Sequence, residues 1–148
     1  MDLVDETFVV AAPEVLAAVA HDPARWTQWW PDLRLTVFMD RGEAGIRWSV
    51  TGALVGSTEL WLEPVLDGVL VHYYLRAEEP DRPTSDDRAR ERRAGDRLRD
   101  RRARAWKRSV NRLKDELERG REPGEPREPV TRSADRSSTR PTLPRTDR

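Results

Sequence analysis

The sequence predicts an α+β fold in which an antiparallel sheet of about five strands packs against a long C-terminal helix. Between residues 33 and 77, several short runs alternate apolar and polar side chains, as half-buried strands do. Asp67-Gly68 lies between two of these runs and is a strong hairpin signal. Residues 85–118 are rich in helix formers, and their apolar residues recur at intervals of three and four.

Composition restricts the class of protein further. The chain has 148 residues and no cysteine, which indicates about one domain without disulfides or cysteine-bound metal. Its net charge of zero is unevenly placed, because residues 1–80 hold 13 acids and 5 arginines whereas the remainder holds 14 acids and 22 bases. No apolar run approaches the ~20 residues of a membrane span, and the acidic start is unlike a signal peptide. We expect a soluble cytoplasmic protein.

The first predicted elements are one strand and two short helices. Residues 5–10 are β-prone, and Pro13 then suits the first turn of a helix that reaches Ala20. Asp22 can cap a second helix that Pro23 opens. This second helix carries three tryptophans at helical spacing, Trp26, Trp29 and Trp30.

After Pro31 the periodicity changes from helical to alternating, which predicts a meander of four strands. Gly52 and Gly56 bracket a reversal or bulge between the second and third of them. If Asp67-Gly68 is the two-residue turn of the last hairpin, Leu66 faces Val69. The four strands are predicted at residues 33–39, 46–51, 58–63 and 69–77.

In this register the last hairpin has one apolar face and one mixed face. The apolar face pairs Leu62 with Tyr73 and Leu60 with Leu75, and the mixed face pairs Glu59 with Arg76, Trp61 with Tyr74 and Glu63 with His72. The mixed face is either a solvated outer surface or a polar pocket that uses Glu59, Trp61, His72 and Tyr74 on a ligand. The solvated surface is favoured because buried charge is costly, and the side of the sheet that this set occupies stays open.

The terminal helix is predicted to start at Ser85 and to end near Gly120. Its apolar stripe, which should cover the apolar face of the sheet, consists of Ala103, Trp106, Val110, Leu113 and Leu117. The helix carries many arginines, which suggests two hypotheses: binding to nucleic acid or binding to an anionic membrane. Because acids such as Asp96 and Asp100 are interleaved and no base-stacking aromatic stands among the arginines, we interpret these faces as solvated. No specific nucleic-acid partner is predicted.

Residues 121–148 contain five prolines among Arg, Glu, Ser and Thr, and they have little that could pack. This composition predicts a disordered tail. The folded domain is therefore predicted at residues 1–120.

Signatures of catalysis are scarce. The two histidines, His21 and His72, stand in no cluster with the spacing of metal ligands. A phosphate loop, a dinucleotide fingerprint and a nucleophile elbow are all absent from the sequence. We predict no catalytic residue, no metal and no cofactor.

Five segments, taken in order, resemble the START-like (SRPBCC) superfamily of polyketide cyclases, dehydrases and lipid-transport proteins, and they are similar to its small actinobacterial members. They are residues 5–10, 22–33, 45–65, 67–80 and 105–121. In this superfamily a curved sheet grips a long C-terminal helix. The resemblance therefore implies a helix-grip fold with an apolar cavity between the sheet and the helix.

The resemblance also implies that this cavity accepts a lipid, a polyketide or a similar hydrophobic molecule. By position, the ligand-binding residues would be Trp48, Thr58, Leu60, Leu62, Val71, Tyr73, Trp106 and Val110. The predicted function is binding of such a molecule, with polyketide cyclase or dehydrase activity as an extension that needs shape more than a catalytic triad. The alternative is a non-enzymatic interaction module with a filled core, whose Arg-rich helix and tail bind a protein or nucleic acid.

Overall fold

The structure, a computed structural model, describes residues 1–82, 86–127 and 129–130. It confirms the α+β class and the order of elements that the sequence predicts. The elements are β1 (Asp2–Val9), α1 (Pro13–Ala20), α2 (Pro23–Trp29), β2 (Leu33–Asp40), a 3-10 turn (Gly42–Ala44), β3 (Gly45–Gly52), β4 (Val55–Val65), β5 (Gly68–Glu78) and α3 (Arg88–Leu117).

The five strands form one antiparallel sheet in the order β1-β5-β4-β3-β2. Strands β2 to β5 form a meander. Strand β1 pairs with the last strand, β5, so β1 and β2 are the two edges of the open sheet. The long helix α3 packs across one face, which we call the inner face, and the opposite face is the outer face. This arrangement is the helix grip that the resemblance implied.

The two short helices have the boundaries that their prolines predict. Pro13 occupies the first turn of α1, and Pro23 that of α2. The Asp22 side chain accepts a hydrogen bond from the Ala24 backbone nitrogen at 2.9 Å, so this carboxylate is the N-cap of α2.

An ion pair joins the end of α1 to the end of β2. The His21 ring contacts the Ala17 carbonyl oxygen through Nδ1 at 2.7 Å and the Asp40 carboxylate through Nε2 at 2.8 Å. Burial acts to lower the pKa of His21, but the hydrogen bonds to Asp40 and Ala17 and the charge of Asp40 outweigh it, so the pKa is raised. Hydrogen bonds from the Gly42 backbone and from His21 lower the pKa of Asp40.

This pair predicts a pH-dependent contribution to stability. A raised histidine pKa stabilises the fold fully below the usual value near 6.5, and that contribution is lost as the pH rises through the raised value. The loss of melting temperature caused by His21→Gln should therefore be larger at pH 5.5 than at pH 9. Thermal denaturation of wild type and of the His21→Gln variant at the two pH values measures this difference. Both proteins contain His72, so its contribution cancels in the comparison. An equal loss at both pH values would contradict the ion pair.

The last hairpin has a different register from the predicted one. Its turn is Leu66-Asp67, because Val65 faces Gly68 and Leu66 takes a positive φ of 52°. A Cβ on Gly68 would overlap the Val9 carbonyl oxygen and the Phe8 ring, so the glycine serves the packing of β1 rather than the turn. The shift is two residues, so every side chain keeps its predicted face.

Strand β2 lies at one edge of the sheet, and it is less buried than its alternation of apolar and polar residues predicts. Leu33 is buried and Leu35 is half-buried, but Val37, Phe38 and Met39 are exposed. The register with β3 shifts between Val37 and Met39, which leaves Phe38 as the extra residue of a bulge. The half-buried pattern that the alternation predicts therefore holds for Leu33 and Leu35 but not for Val37 and Met39, which flank the bulge.

Helix α3 begins at Arg88, where the Asp87 side chain accepts hydrogen bonds from two backbone nitrogens. The start predicted at Ser85 lies outside the described residues. Side chains of α3 also bind the free edge of β1: Arg99 donates to the Asp2 carbonyl at 3.0 Å, and Lys114 donates to the Phe8 carbonyl at 2.8 Å.

Part of the predicted tail is described. The Arg121 side chain lies 3.8 Å from the Glu118 carboxylate at the end of α3. Residues 131–148 lie outside the described residues. Among those that are described, no helix is both long enough and apolar enough to cross a membrane.

Candidate functional site

The residues predicted to bind ligand all lie between the inner face and α3. The sheet residues come from three adjacent strands, and their register places Leu60 opposite Tyr73 and Leu62 opposite Val71. Trp106 and Val110 approach them from α3. All eight side chains have 2% or less of their surface exposed, namely Trp48, Thr58, Leu60, Leu62, Val71, Tyr73, Trp106 and Val110.

Six aromatic rings fill this interior, and we call them the aromatic cluster: Trp26, Trp29, Trp30, Trp48, Tyr73 and Trp106. The Trp106 ring stacks on Tyr73 at a centroid distance of 4.3 Å. Trp30 is stacked nearly parallel to Trp106, at 5.7 Å and 13°, and meets the edge of Trp48 at 5.6 Å. The rings of the sheet and of α3 are thus bridged by Trp30.

Three rings of the cluster come from α2 and the residue that follows it. Trp26 packs edge-on against Trp48 at 5.2 Å, and Trp29 packs edge-on against Trp106 at 5.8 Å. The spacing of these tryptophans predicts a helix but does not predict that they belong to the site. Their spacing marks one helix face, and it carries no information on which part of the sheet that face covers.

The polar atoms within the cluster differ in how they are satisfied. Trp26 Nε1 donates to the Ala20 carbonyl at 2.8 Å, and Trp106 Nε1 donates to the Asp5 carboxylate at 3.2 Å. Trp48 Nε1 is buried and has no hydrogen-bond partner among the described residues. An unpaired buried donor costs about 1–3 kcal/mol, so this indole N–H calls for a physical explanation.

Two of the residues predicted to bind ligand, Thr58 and Tyr73, carry hydroxyl groups. Thr58 Oγ1 donates to the Tyr74 carbonyl at 2.9 Å, so this hydroxyl serves the backbone. Burial raises the pKa of Tyr73 to about 12, against the opposing influence of the Thr58 and Trp30 side chains. The phenol is therefore protonated at neutral pH and can donate a hydrogen bond.

A polar network borders the cluster where β1 meets α3. Asp5 lies 2.7 Å from the Lys107 ammonium group and accepts from the Thr7 hydroxyl at 3.0 Å. Lys107 also donates to Thr7 Oγ1 at 3.0 Å. This network fixes the carboxylate that holds the Trp106 indole. No local pattern predicts this network, because Lys107 lies about 100 residues after Asp5 and Thr7 in the chain.

The mixed set of Glu59, Trp61, His72 and Tyr74 lies on the outer face, away from the cluster. The register places Trp61, not Glu63, opposite His72, and their rings stack at 4.2 Å. Glu63 still reaches His72 Nε2 at 2.8 Å, and Glu6 contacts Nδ1 at 3.1 Å.

The other predicted ion pair of the mixed face does not form. Arg76 pairs with Asp2 at 3.0 Å instead of Glu59, because the register differs by two residues. Glu59 bonds Arg41 at 2.5 Å. The mixed face therefore carries ion pairs on the side of the sheet that faces away from α3, as the solvated interpretation expects. Among the described residues, no group of three or more His, Asp or Glu side chains is arranged to hold a metal ion.

Five grooves of about 40–500 Å³ run over the surface of the described residues, and none of the five is lined by Trp48, Tyr73 or Trp106. The groove of about 500 Å³ lies between α3 and the β3–β4 turn. Its lining includes Leu54, Leu98, Arg101, Arg104 and Arg108. At its border Arg102 binds Asp32 through two nitrogens, at 2.8 and 2.5 Å, which lowers the pKa of Asp32.

The helix grip is the arrangement that the resemblance to the START-like superfamily implied. No model of a protein family matches the chain, and no curated protein matches it. Solved structures do share the fold. The chain is similar to the Aha1 dimer from Colwellia psychrerythraea at 16% identity and a TM-score of 0.54, over 82% of this chain and 99% of that one.

Two further solved structures give the same result. A protein from Deinococcus radiodurans is 15% identical with a TM-score of 0.55, over 78% of this chain and 96% of that one. A protein from Thermus thermophilus is 14% identical with a TM-score of 0.50, over 76% of this chain and 95% of that one. At these identities the similarity shows the fold alone.

Proposed function

We propose that the protein binds a flat, hydrophobic small molecule of the polyketide or flavonoid kind at the aromatic cluster. The observation that carries the proposal is the buried Trp48 indole N–H, which has no hydrogen-bond partner among the described residues. A carbonyl or hydroxyl oxygen on the ligand would accept from this donor and remove its desolvation cost.

The chemistry of the cluster favours an aromatic ligand over an aliphatic one. The faces of Trp30, Tyr73 and Trp106 lie within 28° of one another, and aromatic rings gain specific energy from offset stacking on such faces. The Tyr73 hydroxyl, protonated at neutral pH, supplies a second donor. The START-like fold and the resemblance of the sequence support the same class of ligand.

In this proposal α2 is the element that moves to admit the ligand, because the rings already occupy the interior. The helix has seven residues and contributes two rings of the cluster, and Trp30 follows it directly. The Arg25 guanidinium fastens it to α3 by binding the Glu116 carboxylate at 2.9 and 2.6 Å. A tilt of α2 would move Trp26 away from the Trp48 ring and so make Trp48 accessible to a ligand.

The site offers little acid–base chemistry for a cyclase or dehydrase. With a pKa of about 12, Tyr73 can donate a hydrogen bond but is a poor general base at neutral pH. Cyclisation of a bound polyketide chain would therefore depend on the shape into which the rings fold it.

Binding is tested by titrating the protein with quercetin, which is planar and carries a carbonyl group, and with palmitate as the aliphatic comparison. Quercetin should raise the melting temperature, with a stabilisation of about 2.7 kcal/mol at 100 times its dissociation constant. Trp48→Phe keeps a ring but removes the donor, so it should weaken quercetin about 3- to 10-fold. The matched control is Trp61→Phe on the outer face, which should leave the affinity unchanged.

Failure of every planar aromatic compound to stabilise a folded wild-type protein would overturn this proposal. The filled interior favours the alternative in that case, an interaction module that binds its partner through the surface. Equal weakening by Trp48→Phe and Trp61→Phe would place the ligand away from the cluster.

A further inference from the structure

Seven arginines form one continuous line along the solvent side of α3, and we call this line the arginine stripe. Its members recur at intervals of three and four residues, which keeps them on one side of the helix. All seven are exposed, and they are Arg90, Arg93, Arg97, Arg101, Arg104, Arg108 and Arg112. Trp106 and Val110, which are buried in the core, lie on the opposite side.

The acids interleaved in the sequence do not lie on this stripe. Residues 88–112 contain twelve bases and three acids, a net charge of +9. Each of the three acids, Glu91, Asp96 and Asp100, is one position from a stripe member, and the helical turn places it at a flank of the stripe. Asp100 is three positions from Arg97 and four from Arg104, so it is a neighbour of both at that flank. The three acids therefore offset the charge of the stripe only at its flanks, and the net charge of the segment stays strongly positive.

Within the residues that the structure describes, the stripe has no intramolecular partner. Basic residues beside it are engaged: Arg99 with the Asp2 carbonyl, Arg102 with Asp32 and Lys107 with Asp5. None of the seven stripe guanidinium groups makes a hydrogen bond or ion pair within the described part of the chain. A line of unneutralised charge destabilises the monomer by self-repulsion, so it favours an anionic partner.

The dimensions of the stripe suit a nucleic-acid duplex. From Arg90 to Arg112 it spans 22 residues, which at the α-helical rise is about 33 Å, close to one turn of a B-form duplex. Guanidinium groups bind phosphate oxygens bidentately, so they are suited to the backbone of such a duplex.

We propose that the arginine stripe binds the phosphate backbone of double-stranded nucleic acid without sequence preference. Stacking platforms for single-stranded bases are missing, because the stripe carries no aromatic residue. Insertion into an anionic membrane needs an exposed apolar helix face, but Trp106, Val110 and Leu113 of α3 are buried, and Leu98 and Leu117 are half-buried against the core. A protein partner would need an aromatic or aliphatic anchor, which the stripe does not offer.

The test is fluorescence anisotropy with the full-length chain and a labelled 24-base-pair DNA duplex at 50–200 mM salt. Wild type should bind with micromolar affinity at 50 mM salt, and the logarithm of affinity should fall linearly with that of salt, by about 0.9 per phosphate contacted. The triple variant Arg97→Gln, Arg101→Gln, Arg104→Gln should bind at least 10-fold more weakly, with a slope shallower by about 2.7.

The matched control removes the same charge away from the stripe, by replacing Arg34, Arg92 and Arg127 with Gln. These three are exposed, and this variant should bind within twofold of wild type. Two unrelated duplex sequences should bind equally well. Binding of a duplex RNA of the same sequence, measured in the same way, shows whether the stripe binds DNA duplexes, RNA duplexes or both.

Several results would overturn the proposal: no binding at 50 mM salt, equal weakening by the two triple variants, or tighter binding to a single strand than to the duplex. Binding to phosphatidylserine vesicles without binding to duplexes would overturn it in favour of a membrane surface. Trp48→Phe should leave duplex binding unchanged, so the outcome is independent of the small-molecule proposal.

Discussion

Replacing Trp106 with alanine should lower the free energy of unfolding by about 3–5 kcal/mol. The ring has 2% of its surface exposed, stacks on Tyr73 and Trp30, and meets the edge of Trp29. Its truncation removes all these contacts and leaves the Asp5 carboxylate without the indole donor. Urea denaturation of the variant and wild type measures the loss.

Trp61→Ala is the matched control for this experiment, because the same side chain is deleted from the outer face. Trp61 is 36% exposed and stacks only on His72 among the ring contacts of the described residues, so its loss should be less than half as large. A loss below about 2 kcal/mol for Trp106→Ala would show that much of its ring borders unfilled space. That result would give Trp106 a direct role in lining a binding cavity.

Gly45→Ala should be strongly destabilising for a different reason. Gly45 begins β3 with a φ of 121°, and a Cβ there would overlap the carbonyl oxygen of Leu60 on β4. The backbone conformation alone costs about 1–3 kcal/mol in any other residue. The overlap adds to this cost because it forces β3 and β4 to separate. We expect a total loss above about 3 kcal/mol, measured by thermal or urea denaturation.

The control for this variant is Gly42→Ala, three residues earlier. Gly42 also has a positive φ, of 59°, but a Cβ there would meet nothing within 4 Å. Only the left-handed backbone should then contribute, at about 1–2 kcal/mol. Equal losses at the two positions would mean that the β3–β4 pair adjusts to the extra carbon, and that the close approach is not a constraint on the fold.

The order of elements could be predicted because each boundary has a local chemical signal. Pro13, Asp22 and Pro23 act within one turn of the helices that they start, so α1 and α2 were placed correctly. The hairpin register was missed by two residues because its cause is not local. Gly68 is constrained by Phe8 and Val9 of β1, about 60 residues earlier in the chain.

The candidate site shows the same limit. Alternation alone assigned Trp48, Leu60 and Tyr73 to one face, since parity along a strand survives an error of two residues. It could not place Trp30, because the packing of α2 on the sheet depends on tertiary contacts. The arginine stripe could also have been predicted from the sequence. A helical projection places its arginines on one side of α3, whereas a count of charges along the chain does not separate them from the acids.

The two lateral edges of the sheet are each obstructed along part of their length against further strands. On β1, the outward carbonyls of Asp2 and Phe8 are already bonded by Arg99 and Lys114 of α3. On β2, the bulge at Phe38 interrupts the regular ladder that an incoming strand would need. Fibril growth proceeds by adding strands to a flat, unbonded edge. The terminal helix therefore protects the sheet against polymerisation on the β1 side, and the bulge does so on the β2 side.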